Sequence, residues 1–297
     1  MTALAKLQAL LQDPPPGHVF EISETGVAAA RLEGAAPEVN FYALPPGALA
    51  VSPLKDNVAN AEALQAAVHT LAGEAAGKKR RAALILPDFC SRVAVIDFDS
   101  LPAAADEQQA LVRFRMKKSV PFDLEGAALS YFVQPSANPK SKIDVVVAVT
   151  ALEILARYEA PFRAEGFQPG LVTTSLLASL NLLNPDGVTV LTKLSGAALT
   201  VAVLQESALK LVRCVELDRV ETEEVEAVLL PTLAFVEDEL GTPARRVVLC
   251  GFGALGEQWS GRWATSWGLP VEILRSRLGA PGGQNAGLLG FMESLAA

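Results

Sequence analysis

Apolar residues crowd into three short runs near the start of the chain, at 18–22, 27–32 and 39–44, parted by small-residue or polar turns. Such spacing predicts a three-strand meander. From 56 to 74, Val58, Leu64, Val68 and Leu71 give a rough helical stripe. Buried-type strands are expected at 82–86 and 92–98, and a helix at 106–119 that Pro121 ends. Strands at 127–133 and 143–149 follow, then a helix at 152–165, an extended piece around Leu171 and a helix at 174–183.

Beyond that point the pattern restarts. Residues 188–193, 198–204 and 208–215 predict a second meander, its first hairpin turning through Ser195, Gly196 and Ala197. A helical stretch at 222–240, which Pro231 is expected to kink or divide, precedes a strand at 246–250. A helix at 255–267, a strand at 271–274 and a helix near 284–295 complete the order. Three strands, a helix, a strand, a helix and a strand thus occur twice, with an extra segment in the first copy between about 87 and 134. Two like lobes facing one another imply a cleft.

Composition narrows the classes. Half of the 297 residues are hydrophobic, yet the longest charge-free run, 166–185, contains Gln168, Pro169, Ser175 and Asn181, so no transmembrane helix is expected. The first twelve residues, MTALAKLQALLQ, read as a short helix ahead of Asp13 and lack a secretory h-region and cleavage site; a cytoplasmic location is expected. Cys90, Cys214 and Cys250 are expected to be buried reduced thiols. A formal charge of −8 argues against nucleic-acid binding. Lys78 to Arg81 reads as a solvated loop, and Arg113, Arg115, Lys117 and Lys118 as a charged helix face, with a partner or an anionic-lipid surface as the alternative.

Regular expressions for chemistry mostly fail. Gly251, Gly253 and Gly256 match a dinucleotide-binding turn between a strand and a helix, but only 41 residues follow, too few for the rest of such a fold. The two histidines, His18 and His69, have no nucleophile-elbow serine to serve, and zinc, calcium and P-loop patterns are missing. No catalytic or metal-binding residue is assigned.

One stretch is more specific. Residues 107–134, EQQALVRFRMKKSVPFDLEGAALSYFVQ, resemble the helix, (I/V)-P-F-x-L turn and aromatic strand of the PilM family of actin-like proteins of type IV pilus assembly, through Val120, Pro121, Phe122, Leu124 and Tyr131. The strand ending in Pro87-Asp88, the turn with Gly166, Phe167 and Pro169, and the closing helix 285–290 continue the likeness in order. The resemblance implies an α/β fold of the actin-like, ribonuclease H-like duplicated kind. A first lobe is then expected at 1–172, with an inserted subdomain at about 88–134, and a second lobe at 173–297.

It also implies three nucleotide loops, and all three depart from the pattern. Where the family reads D-I-G-x-x-x-V-K, Glu21 replaces the aspartate, Ser23 the glycine and Ala28 the lysine, while Glu24 adds a second acid. Where it reads L-x-D-I-G-A-x-T-T, Lys193 replaces the magnesium-holding aspartate, Ser195 follows, and Ala198 and Leu199 replace the threonines. The third loop, G-G-G, is Gly251-Phe252-Gly253, whose phenylalanine either fills the base pocket, stacks on a base or anchors the following helix.

The expectation is therefore a scaffold that binds no cofactor, with ATP and magnesium disfavoured. Glu21 and Glu24 are expected near Lys193 as a partly exposed pair across the cleft. The resemblance implies docking, at the inner-membrane face, of the N-terminal segment of a bitopic PilN-like protein against Arg113, Lys117, Pro121, Phe122 and Tyr131; an oligomer is compatible with it. The rivals are an ATP-binding actin-like protein, a sugar-kinase-like enzyme, which should carry an aspartate within 187–205 where there is none, and a type II secretion component.

Overall fold

Both meanders form where the alternation of side chains places them. The computed structural model describes residues 16–32, 38–73, 80–135, 142–184 and 186–295; the helix expected before Asp13, and Lys78 with Lys79, lie outside them. Strands β1 (His18–Ser23), β2 (Gly26–Arg31) and β3 (Val39–Ala43) make the first meander, and β4 (Arg80–Leu86) and β8 (Phe167–Thr174) extend it in the order β3-β2-β1-β4-β8. Strands β9 (Val188–Ser195), β10 (Ala198–Gln205), β11 (Ala208–Glu216), β12 (Arg246–Cys250) and β13 (Val271–Ile273) repeat that order as β11-β10-β9-β12-β13. In both sheets the meander is antiparallel and the added strands are parallel.

Each sheet buries its outer face under two helices. On the first, Leu64 and Val68 of α1 (Ala61–Ala72) and Ile154, Tyr158 and Phe162 of α3 (Leu152–Ala164) cover Phe20, Ile22 and Leu84. Asn60 starts α1 by accepting the Ala63 N–H at 3.0 Å, which places its beginning a few residues later than the apolar stripe alone suggests. On the second, α5 (Thr222–Leu240) and α6 (Ala254–Trp267) supply Val225, Leu229, Val236, Trp259 and Trp263. Helix α5 continues through Pro231, so the proline does not divide it. Its buried stripe of Val225, Leu229, Thr232 and Val236 holds it on the sheet against the roughly 3 kcal/mol that an interior proline costs.

The inner faces meet across two short elements. Ala178 of α4 (Ser175–Ser179) and Leu288, Leu289 and Met292 of α7 (Ala286–Leu295) pack on Val19, Ala83 and Ile85 of the first sheet. Leu176 and Ala286 pack on Leu191 and Val248 of the second. Gly290 permits the crossing of α4 and α7, since a Cβ there would strike the Ala178 carbonyl. The closing helix, expected in the second lobe, thus also covers the first sheet.

The insertion is a third, antiparallel sheet in the order β5-β7-β6, from β5 (Arg92–Phe98), β6 (Ala127–Val133) and β7 (Ile143–Ala151). Its central strand is β7, so the inserted unit runs on to 151 rather than to about 134; an alternating apolar strand does not announce which sheet it joins. Helix α2 (Ala105–Met116) covers one face through Val112 and Met116. The other face brings Val93, Val95, Val146 and Ala148 onto the second lobe. There the buried Gln134 side chain donates to the Leu209 carbonyl and accepts the Leu209 N–H, both at 2.7 Å, and Lys210 meets Asp144 at 2.6 Å. Among the described residues, no helix is long and apolar enough to cross a membrane.

Candidate functional site

The inward faces of β1 and β9 carry Glu21 and Lys193 at equivalent places, each two residues before its hairpin turn: Glu21 pairs in register with Ala28 and Ile85, Lys193 with Thr200 and Cys250. Both side chains are 1 % exposed. Lys193 donates to Asp88 Oδ2 at 3.0 Å, and Thr200 Oγ1 donates to the same oxygen at 3.3 Å. Asp88 follows β4, and its Oδ1 accepts the Leu176 N–H at 2.6 Å. Glu21 accepts the Ser175 hydroxyl on one oxygen and the Leu288 N–H on the other, the latter at 2.6 Å. The start of α4 therefore supplies a donor to each buried acid, and the start of α7 supplies one more.

This corrects the expected pairing of Lys193. Its counter-ion is Asp88, and the pair is buried rather than partly exposed. Glu21 is a neighbour whose charge Lys193 feels. Glu24 lies outside the cluster, accepting the Val51 N–H at 3.4 Å and pressing on Gly196, where a Cβ would strike its carboxylate. The two hairpin turns do face each other, as a duplicated fold requires.

Burial pushes the Glu21 carboxyl above its usual range and Asp88 pushes it the same way, against Lys193, Ser175 and the Leu288 N–H. That direction moves a cluster of two acids and one base toward neutrality. Burial alone would lower the Lys193 ammonium, but Asp88 and Glu21 outweigh it and hold its pKa above the usual lysine value. Cys90, Cys214 and Cys250 are free, and burial pushes each thiol up to about 12, so they are inert neighbours.

The remaining loop residues are spent on packing. Ser23 donates to the Gly26 carbonyl at 2.9 Å, closing the β1–β2 turn, and Ser195 donates to the Gly283 carbonyl at 2.7 Å. Gly251, at φ +81°, lies against the Leu194 carbonyl, where any Cβ would collide. Phe252 is buried edge-on to Trp259, their ring centroids 5.8 Å apart; it anchors the helix that follows, and Gly253 leads into that helix. The cavity left between the turns, lined by Glu24, Asp88, Ser195 and Glu216 among others, measures 10 Å³. That is about room for one water, against the several hundred Å³ of a typical ligand pocket. Outside it, a 550 Å³ depression carries Glu24, Asp56 and Glu216 together with one base, Lys55. A magnesium triphosphate does not fit these residues: an ammonium stands where a metal-holding acid is needed, and carboxylates line the approach.

The residues expected to meet a partner are dispersed in use. Arg113 donates to the Leu124 carbonyl at 2.7 Å and Tyr131 to Gln108 Oε1 at 3.2 Å, while Phe122 packs half-buried beside α2. Lys117 and Pro121 are exposed. The spacing of Leu111 and Phe114 suggests an apolar stripe on α2, but its buried residues are Val112 and Met116; Phe114, at 73 %, and Phe132, at 62 % and without a signal in the sequence, are the most exposed aromatics among the described residues. Sequence reasoning quoted Asp88 without assigning it a partner; its place at the end of a parallel strand, opposite the β9 turn of the second copy, was the available signal.

No protein-family model matches the sequence, and no curated protein matches it significantly. Solved structures do match its fold. A PilM-PilN type IV pilus biogenesis complex aligns over 94 % of this chain and 98 % of that one, at TM-score 0.71 and 19 % identity. A Bacteroides thetaiotaomicron protein described as having an actin-like ATPase fold and unknown function aligns over 98 % of each chain at TM-score 0.55 and 12 % identity. The cytoplasmic domain of EpsL, an inner-membrane component of the Vibrio cholerae type II secretion system, aligns over 94 % of each chain at 0.54 and 13 %. The fold is actin-like.

Proposed function

We propose that this chain is a PilM-like scaffold of a type IV pilus or related secretion assembly, held closed by its own side chains rather than by a nucleotide. The observation that carries the second half is the buried Lys193–Asp88 pair with Glu21 beside it, filling the space between the two hairpin turns. In an actin-like fold that space is where lobes close on a ligand. Here three side chains and the starts of two helices occupy it.

The pilus half is supported by the whole-chain likeness to the PilM-PilN complex and by the Val120-Pro121-Phe122 turn, which the structure sets beside α2 on the inserted sheet. The partner is a bitopic PilN-like protein whose N-terminal segment docks beside the insertion, at the inner-membrane face. Exposed Lys117 and Pro121 and half-buried Phe122 offer it charge and an apolar seat, while Arg113 and Tyr131 hold that seat in shape. The secretion-component alternative rests on a lower fold likeness, 0.54 against 0.71.

Two measurements test the reading separately. Titration calorimetry and thermal melting with millimolar Mg-ATP are expected to give no heat and no shift. A ligand at a hundred times its Kd would add about 2.7 kcal/mol, a shift of several degrees that would overturn the empty-handed cleft. Immobilised N-terminal peptide of the neighbouring bitopic protein is expected to retain this chain, and Phe122→Ala to weaken retention; indifference to both would remove the partner.

A further inference from the structure

We propose that the exposed C-terminal end of α2, with Phe114, Arg115, Lys117 and Lys118, is a contact surface for an anionic lipid bilayer. Helix α2 turns Val112 and Met116 into the inserted sheet and leaves Phe114 outward, 73 % exposed, the barest large apolar side chain among the described residues. Lys117 and Lys118 follow it by three and four positions and so lie on its side of the helix end. Neither lysine has an ion-pair partner among the described residues. Arg115 is half-committed, 4.0 Å from Asp97 and stacked over Phe98, and Asp97 is itself taken by Lys142 at 2.6 Å. The acids nearest in sequence beyond the helix, Asp123 and Glu125, come after the Pro121 turn.

Cations at a helix C-terminus are favourable by themselves, which accounts for the lysines. It does not account for a phenylalanine beside them in water. An aromatic ring among flexible ammonium groups suits an interface where the ring enters the acyl boundary and the lysines reach phosphate. A convex helix end also offers a bilayer a surface that needs no complementary pocket. The charge of the remainder fixes the orientation. The chain is −8 overall, and α5 of the second lobe exposes Glu237, Asp238 and Glu239, which an anionic surface repels. The insertion therefore faces the lipid and the second lobe faces away. This assignment does not depend on the PilN-like partner.

Flotation of the full chain with vesicles tests it, using phosphatidylcholine alone and phosphatidylcholine with one third phosphatidylglycerol. Binding is expected only with phosphatidylglycerol, and to fall at high salt. Reversing Lys117 or Lys118 to Glu is expected to cut partitioning at least roughly fivefold, the effect of about one surface cation. Phe114→Ser is expected to reduce it as well, with an unchanged melting temperature because the ring packs on little. Equal binding to neutral vesicles, binding that ignores these variants, or no binding would each overturn the proposal. So would a Phe114→Ser variant that floats normally but loses capture by the bitopic partner's peptide, which would make the patch a protein contact.

Discussion

The β1–β2 and β9–β10 hairpins are two copies of one device, and they differ most at the position two residues before the turn. In the first copy it is an acid, Glu21; in the second a base, Lys193. Each is set inward by the same alternation and buried to the same degree, yet their partners come from different sources. Glu21 is met by donors from α4 and α7, elements that lie between the sheets, whereas Lys193 is met by Asp88, from the first lobe. A duplicated fold thus made its closing contact by giving opposite charges to equivalent positions and adding one carboxylate from the end of β4. The teaching is that equivalent positions of a duplicated fold can hold its two halves together when their side chains are mutually complementary.

The largest expected effect comes from breaking the basic half. Lys193→Met leaves Asp88 buried without its counter-charge and should lower stability by about 3 to 5 kcal/mol in urea unfolding. Asp88→Asn on that background keeps an acceptor for the Leu176 N–H and should recover part of the loss; strictly additive effects would mean the two do not act as a pair.

The insertion is what the first copy has and the second lacks, and its grip on the second lobe is the next contrast. Gln134→Ala strands the Leu209 N–H and carbonyl in a buried place, an expected cost of about 1 to 3 kcal/mol. An unchanged melting temperature would show that the insertion rides on its own lobe alone.

The acidic half gives the smallest but most diagnostic signal, because it depends on pH. The Glu21 pKa is raised on folding, so between its unfolded value near 4.5 and its higher folded value the native state binds more protons than the unfolded chain. Its contribution therefore favours folding at low pH and is lost as pH rises through the folded pKa. Glu21→Gln removes that titration while spoiling one of two accepted hydrogen bonds. The variant should be least stable relative to the parent near pH 4 and gain on it as pH rises. A gap that is flat or opens in the other direction would show that Lys193 and the two donors outweigh burial.

Much of the scaffold was legible because both signals it rests on are local. The strands at 18–31 and 188–216 show alternating or continuous apolar runs between turn residues, and the duplicated order follows from listing them. What stayed hidden was long-range. Ile143 to Val149 reads as a strand, but only pairing in space assigns it to the inserted sheet. Pro231 reads as a kink or a division, and the packed stripe of α5 carries the helix through it undivided. At the site, replacement of the aspartate by Lys193 was visible as a lost metal anchor, and Glu21 as its nearest foil. The true counter-ion lies 105 positions away in sequence. Phe252 had three open readings until Trp259 was found against it.

Gln134 has a wider consequence. Its carboxamide offers β11 one donor and one acceptor, as a neighbouring strand would, at the outer margin of the second sheet. A sheet margin with open backbone groups invites another chain to add itself. Here a single side chain from the opposite lobe occupies the first rung, so while the lobes stay together the second sheet cannot begin to grow from that end.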